Sequence, residues 1–395
     1  MDKLPFSPAD ILLPRTGHEA WASIACDQFT SEPGYWQEAE KAAGDQPSCL
    51  RITLPEVYLG AADVDGRLAA IRQTMNDYLN ADLFEEYRDA LILVERTLRD
   101  GRVRRGIVGK FDLSAYSYEA GAKPLIRPTE GTVLSRIPPR VKVRRDAPLE
   151  LPHVMILIDD KRRTVLEPIR TEGLTVLYDF DLMTGGGHLR GYLLPKNEQE
   201  RILQALGDLA APAVPEDEPL LFAVGDGNHS LATAKACAEL IGTPEAGYAL
   251  AEIVNIHDEA LDFEPIYRVL FGVDPLDVVR EVKKVFPNWN GRRVDWVSAA
   301  GEGHFFVPGL ETKDLQDFLD AYAASHPGSV IDYIHGEDSL RTLAGKPESI
   351  GFLFGGITKD ELFPYVKANG PLPRKTFSMG EALDKRFYME CRKIR

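Results

Sequence analysis

The sequence predicts an α+β protein: a mixed sheet with helices, a strand–turn–helix corner at 220–242, and a smaller C-terminal region. Three observations lead there. Short apolar runs bounded by Gly, Pro and acidic residues read as strands, and they are interspersed with segments whose apolar residues recur at helical spacing. No repeat at a fixed period and no low-complexity segment interrupts this irregular mixture. The 395 residues exceed the size at which one hydrophobic core stops growing, so two parts are expected: a main α/β domain over 1–286 and a smaller region over 287–395 that packs back on the site.

Residues 1–60 alternate turns with strand-like pieces such as 50–54. A helix is expected over 63–80, where Ile71, Met75 and Leu79 form one stripe, and a shorter one over 82–87. Strands over 90–98 and 103–112 flank Arg99-Asp100-Gly101-Arg102, and Asp-Gly is a strong hairpin signal, so they are expected to pair antiparallel. The stretch 123–145 concentrates Lys123, Arg127, Arg136, Arg140, Lys142, Arg144 and Arg145 in an acidic chain; it is either a solvated face or a place where an anion binds. Buried strands are expected over 154–159 and 174–178, with a turn at 160–163. Gly185-Gly186-Gly187 fits a hairpin loop, and also admits a ligand close to the backbone. A helix over 197–210 and a Pro-rich loop over 211–219 lead to the corner. Beyond it come a strand over 249–256, a helix over 274–286 and a boundary at Pro287 to Arg292. A helix over 313–325, a strand over 350–354 and a helix over 359–368 follow. The segment 370–380 is an extended basic loop, because its two prolines bar a helix interior.

The corner holds the most chemistry. In LLFAVGDGNHSLATAKACAELIG the apolar run Leu220 to Val224 ends at Gly225-Asp226-Gly227-Asn228-His229-Ser230, and Leu231, Ala234, Ala238 and Ile241 then recur at helical spacing. The first N–H groups of such a helix have no intrahelical partner, and its dipole attracts anions. Gly225 and Gly227 let backbone approach a ligand, while carboxylate, amide, imidazole and hydroxyl groups arrive within one turn. Asn, Asp and Ser are also ordinary N-caps, but a cap needs one such residue and here four polar groups come together.

Charge and cysteine usage narrow the class. The balance of 46 basic against 61 acidic residues gives a net charge of -15, which repels polyanions, so nucleic acid is not an expected partner. No signal-like apolar segment opens the sequence and no run approaches ~18 apolar residues. A cytoplasmic enzyme or binding protein without a membrane partner is expected, with a homo-oligomer left open. Cys26, Cys49, Cys237 and Cys391 are scattered without C-x-x-C spacing, and read as reduced, mostly buried thiols rather than a zinc ribbon or a disulfide framework.

The box Asp226-Gly227-Asn228-His229 resembles the Asp-Gly-His-His-Arg box of the bacterial and archaeal family DUF1015. The block from Asn255 to Arg268, with Pro265 and Arg268 in its Pro-x-x-Arg, and the tail Leu372-Pro373-Arg374-Lys375-Thr376 are similar to further blocks of that family. The box in turn resembles the phosphate-binding box of the ParB-like superfamily, which includes CTP-binding chromosome-partition proteins, sulfiredoxin and free-serine kinases. That likeness implies that Gly225, Asp226, Gly227, Asn228, His229 and Ser230 hold phosphate, directly or through Mg²⁺ bound at Asp226. Two departures stand out: Asn228 replaces a His, and Ser230 replaces the Arg, which removes a bidentate phosphate donor. Arg136, Arg140, Arg268, Arg374 and Lys375 are the candidate substitutes. Asp27 aligns with the one acid of the family's Pro-Tyr-Asp-Val turn and is the candidate to accept a hydroxyl proton, beside Asp226 and His229 as catalytic residues; a turn or N-cap Asp is the alternative.

The first functional reading is thus a phosphotransferase acting on a small hydroxylated metabolite, serine by resemblance, with ATP, ADP or pyrophosphate as donor. Neither a Walker box nor a kinase Gly-rich loop is present. The second is a metal-dependent phosphate-ester hydrolase using Asp179, Asp181, His188, Asp226, His229, His257 and Asp258, although no compact ligand motif links them. The third is a non-catalytic nucleotide-binding module.

Overall fold

A computed structural model describes residues 4–24, 33–119, 121–151, 154–211, 219–288, 290–380 and 384–395. The chain is of mixed α+β class and divides into two compact units: Met1–Leu261 with Glu381–Arg395, and Asp262–Gly380. The boundary expected at 287 falls inside the second unit. The reason is pairing: Phe263–Phe271, which precedes it, lies within the second unit's sheet between Ser349–Phe354 and Val330–His335. Residues 384–395 rejoin the first unit, so that unit is discontinuous in sequence.

The first unit is built on a nine-stranded mixed sheet. Its order runs Ile126–Pro128, Phe222–Asp226, Met155–Ile158, Tyr248–Asn255, Val103–Asp112, Ile92–Thr97, His188–Leu193, Thr175–Asp181, with Phe6–Ser7 paired to Val103–Asp112. Strand periodicity divides the interior in two. Ile92, Val94, Val108 and Leu250 face a core with Trp21, Trp36, Met75 and Met389, while Leu93, Ile107, Val224 and Ile253 face one with Ile202, Leu206, Leu231 and Ala234. Each such side chain fully withdrawn from water contributes about 1.5–3 kcal/mol before entropy is counted.

The expected 90–112 hairpin forms, with Ile92–Thr97 antiparallel to Val103–Asp112 and Gly101 at φ 86 in its turn. The triple glycine joins Thr175–Asp181 to His188–Leu193, also antiparallel. Two expectations are corrected. Residues 84–90 form a strand rather than a helix, because the segment pairs with Ala9–Pro14 and buries Phe84 and Ala90 at its ends; tertiary pairing outweighs a sequence poor in strand formers. Residues 49–52 form a 3₁₀ turn, not a strand, with the Ser48 side chain accepting the Leu50 N–H at 3.3 Å.

The second unit carries a six-stranded antiparallel sheet, in the order Gly301–Val307, Arg292–Ser298, Ser349–Phe354, Phe263–Phe271, Val330–His335, with Phe377–Met379 paired to Phe263–Phe271. Val278, Val282, Leu315 and Leu319 of helices Pro275–Val285 and Glu311–Ser325 pack with Leu270 and Phe352, and Leu340 of Glu337–Ala344 packs with Val269 and Leu353. Among the described residues no helix is long and apolar enough to cross a membrane.

Candidate functional site

The corner forms as a strand, Phe222–Asp226, running straight into a helix, Asn228–Ile241. Gly227 makes the turn in the left-handed region at φ 82, where a side chain would be strained, and it is itself the N-cap. As a glycine, the N-cap has no side chain with which to cap the helix. Asp226 Oδ1 instead accepts the Gly227 N–H at 2.9 Å. Residues 225–230 are all half-buried.

A loop within the basic stretch 123–145 laces the corner in place. Thr129 Oγ1 donates to the Val224 carbonyl at 2.7 Å, and the Val133 N–H donates to His229 Nε2 at 3.1 Å. That lone pair of His229 is therefore spent on the loop, which ties the helix start to residues 129–133. Asn228 Nδ2 lies 3.5 Å from the Glu130 carbonyl, and its Oδ1, shielded from solvent, takes no hydrogen bond among the described residues.

The cation at the corner comes from a place the sequence did not advertise. Lys385 Nζ lies 3.2 Å from Asp226 Oδ2, with only 10% of the lysine side chain and 19% of the aspartate's exposed. In sequence Asp384-Lys385-Arg386 looks like a solvated charge run. Its neighbours explain why it is not. Arg386 is buried and donates to Glu252 Oε2 at 2.7 Å and to Glu390, which also accepts the Tyr178 hydroxyl. Burial disfavours the Arg386 charge, yet Glu390 and Glu252 outweigh it and hold the guanidinium firmly protonated. Gly106 leaves room for this network, since a Cβ there would sit 2.1 Å from Glu252 Oε1. Arg104 Nη1 donates to the Asp384 carbonyl at 2.8 Å, and Arg96, directly opposite Arg104 on the neighbouring strand, is pulled down to about 9 by burial and then by the Arg104 charge. The 384–395 segment is pinned again by Arg392, whose Nε donates to buried Glu150 at 2.7 Å.

The other expected residues are dispersed. Asp27 lies outside the described residues. Arg136 and Arg140 lie at the start of helix Ile137–Arg145, which packs on the corner helix; Arg136 is exposed and Arg140 Nη1 donates to the Arg136 carbonyl at 3.0 Å. Arg268, Arg374 and Lys375 belong to the second unit. Arg268 is wholly buried, with Nε donating to Gln316 Oε1 at 2.8 Å and its guanidinium over the Tyr333 ring, so it serves that unit's interior. Arg374 and Lys375 are exposed, and Lys375 takes φ 60.

The residues of the hydrolase reading fall into separate groups. His188 Nδ1 contacts Asp181 Oδ1 at 2.7 Å and Nε2 contacts Asp179 Oδ1 at 2.6 Å, with Arg190 on the other Asp179 oxygen. The Arg190 hydrogen bond holds Asp179 below the usual carboxylate range. An imidazole engaged by carboxylates at both nitrogens offers no lone pair to a metal. His257 Nε2 pairs instead with Asp159 Oδ1 at 2.7 Å, and Asp258 accepts the Arg105 N–H. Among the described residues no group of three or more His, Cys, Asp or Glu could hold a metal ion.

The family model described as "Protein of unknown function (DUF1015)" matches residues 6–361. The chain belongs to this family. Solved structures similar to this DUF1015 chain include a free serine kinase in complex with AMP, at 14% identity over 71% of this chain and 90% of that one, with a TM-score of 0.38. A free serine kinase variant in complex with ADP matches at 12% identity over 73% and 93%, TM-score 0.40. SbnI with a C-terminal truncation, from Staphylococcus aureus, matches at 9% over 71% and 85%, TM-score 0.37. No curated protein matches the chain.

Proposed function

We propose that this protein is a phosphotransferase that moves a phosphoryl group from ATP, ADP or pyrophosphate to the hydroxyl of a small, serine-like metabolite. The observation that supports it best is the start of helix Asn228–Ile241: its N-cap is a glycine in the left-handed region, and Asp226 stands beside it with a half-buried polar set. Such a helix end receives phosphate oxygens on its N–H groups and its dipole. Phosphoryl transfer asks little covalent chemistry of a protein, so positioning and charge neutralisation suffice.

In the step, an acceptor hydroxyl oxygen forms a bond to the donor's terminal phosphorus as the bond from that phosphorus to the bridging oxygen breaks. The electron pair leaves with the shortened donor, and the hydroxyl proton passes to a carboxylate, for which Asp27 is the candidate. Asp226 is the corner's oxygen donor for a metal. One carboxylate fits Mg²⁺, which keeps several waters and takes donor phosphates as ligands. Mg²⁺ there would supply charge neutralisation on the donor.

Phosphorus NMR with Mg²⁺ and ATP, ADP or pyrophosphate, with and without serine, threonine, glycerate and sugars, tests the reading. A new phosphate-ester signal that requires an acceptor is the expected result. Inorganic phosphate released without need of an acceptor would point to a hydrolase, and a binding shift without product to a nucleotide-binding module. Asp226→Ala is expected to abolish turnover and greatly weaken donor binding, whereas Asp27→Ala abolishes turnover alone. Survival of both activities in Asp226→Ala would reduce the corner to a helix start.

A further inference from the structure

We propose that Lys385 is the group that binds the donor's terminal phosphate, taking the place of the guanidinium that Ser230 does not supply; this rests on the phosphotransferase reading. A phosphate-binding corner needs a cation close to the helix start, and Ser230 offers only a hydroxyl. Lys385 brings an ammonium to 3.2 Å from Asp226, the residue immediately before the turn.

Three features fit a ligand-binding role better than a surface ion pair. First, the lysine side chain is nine-tenths buried, where holding a charge costs more than the median exposed pair returns. Second, its backbone is fixed on both sides: Arg104 holds the Asp384 carbonyl, and Arg386 is locked between Glu252 and Glu390. The Cα is thus held in place, so the ammonium is presented to the corner at little ordering cost on binding. Third, Asn228 Oδ1, on the first helical residue, is shielded from solvent with no hydrogen bond among the described residues, an acceptor left for a donor group such as the hydroxyl of the phosphoryl acceptor rather than for a phosphate oxygen. On arrival of a phosphate the ammonium turns from Asp226 Oδ2 to a phosphate oxygen, and the Asp226 carboxylate is freed to face the acceptor. No bond to a heavy atom is made or broken in that exchange.

The test measures dissociation constants of AMP, ADP and inorganic pyrophosphate by calorimetry for the full chain, Lys385→Met and Lys385→Arg, each checked for folding by circular dichroism. A phosphate-binding lysine predicts that Lys385→Met weakens ADP and pyrophosphate about 10-fold or more, a loss of about 1.4 kcal/mol. AMP should change less than about 3-fold, and Lys385→Arg should recover most of the affinity. If Lys385 only neutralises Asp226, Lys385→Met weakens AMP by the same factor as ADP and pyrophosphate, which overturns the proposal. Equal affinities in folded Lys385→Met and the unsubstituted chain overturn it as well. Failure of the unsubstituted chain to bind any of the three, with Mg²⁺ present, would instead sink the phosphotransferase reading and this proposal with it. A Lys385→Met chain that fails to fold leaves Lys385→Arg as the deciding variant: it must bind ADP, and its preference for ADP over AMP must match that of the unsubstituted chain.

Discussion

Glu150→Gln is the substitution whose effect the structure specifies most fully. Glu150 is buried and accepts from Arg144 Nη2, from Arg392 Nε at 2.7 Å and from the Leu250 N–H at 3.0 Å. It thereby joins a basic helix, the 384–395 segment and a central strand. Glutamine keeps the shape and one acceptor for the Leu250 N–H, but it leaves two guanidiniums beside a neutral amide. Removing one partner of a buried pair costs about 3–5 kcal/mol. At about 2–4 °C per kcal/mol for a unit of this size, Tm should fall by about 10 °C at pH 7. The pH dependence follows from the same contacts. Burial pushes the Glu150 carboxyl up, but Arg144 and Arg392 and their hydrogen bonds more than offset this and hold it below its ordinary value. A carboxylate depressed on folding contributes stability that is fully present above its unfolded-state value of about 4.3, and loses it as pH falls through the folded value. Thermal unfolding followed by circular dichroism from pH 7 down to pH 3 should show a gap between the two proteins that is widest at neutral pH and narrows below about pH 4. A gap under about 2 °C at pH 7, or one that stays constant into acid, would refute this account of the network.

Two further substitutions or treatments follow from the same interior. Gly106→Ala would place a Cβ 2.1 Å from Glu252 Oε1, a carboxylate that the Arg386 bridge holds in place. A loss of about 1–3 kcal/mol in urea unfolding is expected, and an unchanged midpoint would mean that the bridge yields freely. Burial pushes the Cys49 thiol up to about 12 and Cys391 well above its ordinary value, so neither forms much thiolate. Iodoacetamide at pH 8 should modify both only after unfolding, as read by mass spectrometry of peptides; rapid labelling of either in the native protein would contradict that burial.

What the sequence made legible was local. The corner's strand ends at Asp226 and its helix begins at Asn228, within a residue or two of expectation, because glycines and a change of apolar period mark such a junction wherever the chain folds. The 90–112 hairpin was legible for the same reason: Asp100-Gly101 encodes its own turn. Residues 84–90 were not, since Phe84-Glu85-Glu86-Tyr87-Arg88-Asp89-Ala90 becomes a strand only by pairing with residues 9–14. Lys385 was hidden by the same kind of distance. A lysine in a charged triplet carries no mark of the carboxylate it meets from the far side of an intervening unit, and the candidates chosen instead included Arg268, which is absorbed into another core. The boundary was misplaced at 287 because a segment that returns to an earlier unit leaves no change in composition at its junction.

The discontinuity of the first unit also sets an order of events during synthesis. Residues 262–380 leave the ribosome before 384–395, so a growing chain passes through a stage in which the nine-stranded sheet has emerged but Lys385, Arg386 and Arg392 have not. At that stage Glu252 lacks Arg386, Glu150 keeps Arg144 but lacks Arg392, and Asp226 lacks its lysine. Domains otherwise tend to fold as units, the earlier one first, as they are translated. Here the earlier one has to wait, and a chain broken off inside the second unit would carry the corner without its cation. Emergence of residues 384–395 is thus a condition for assembling the corner as the finished fold holds it.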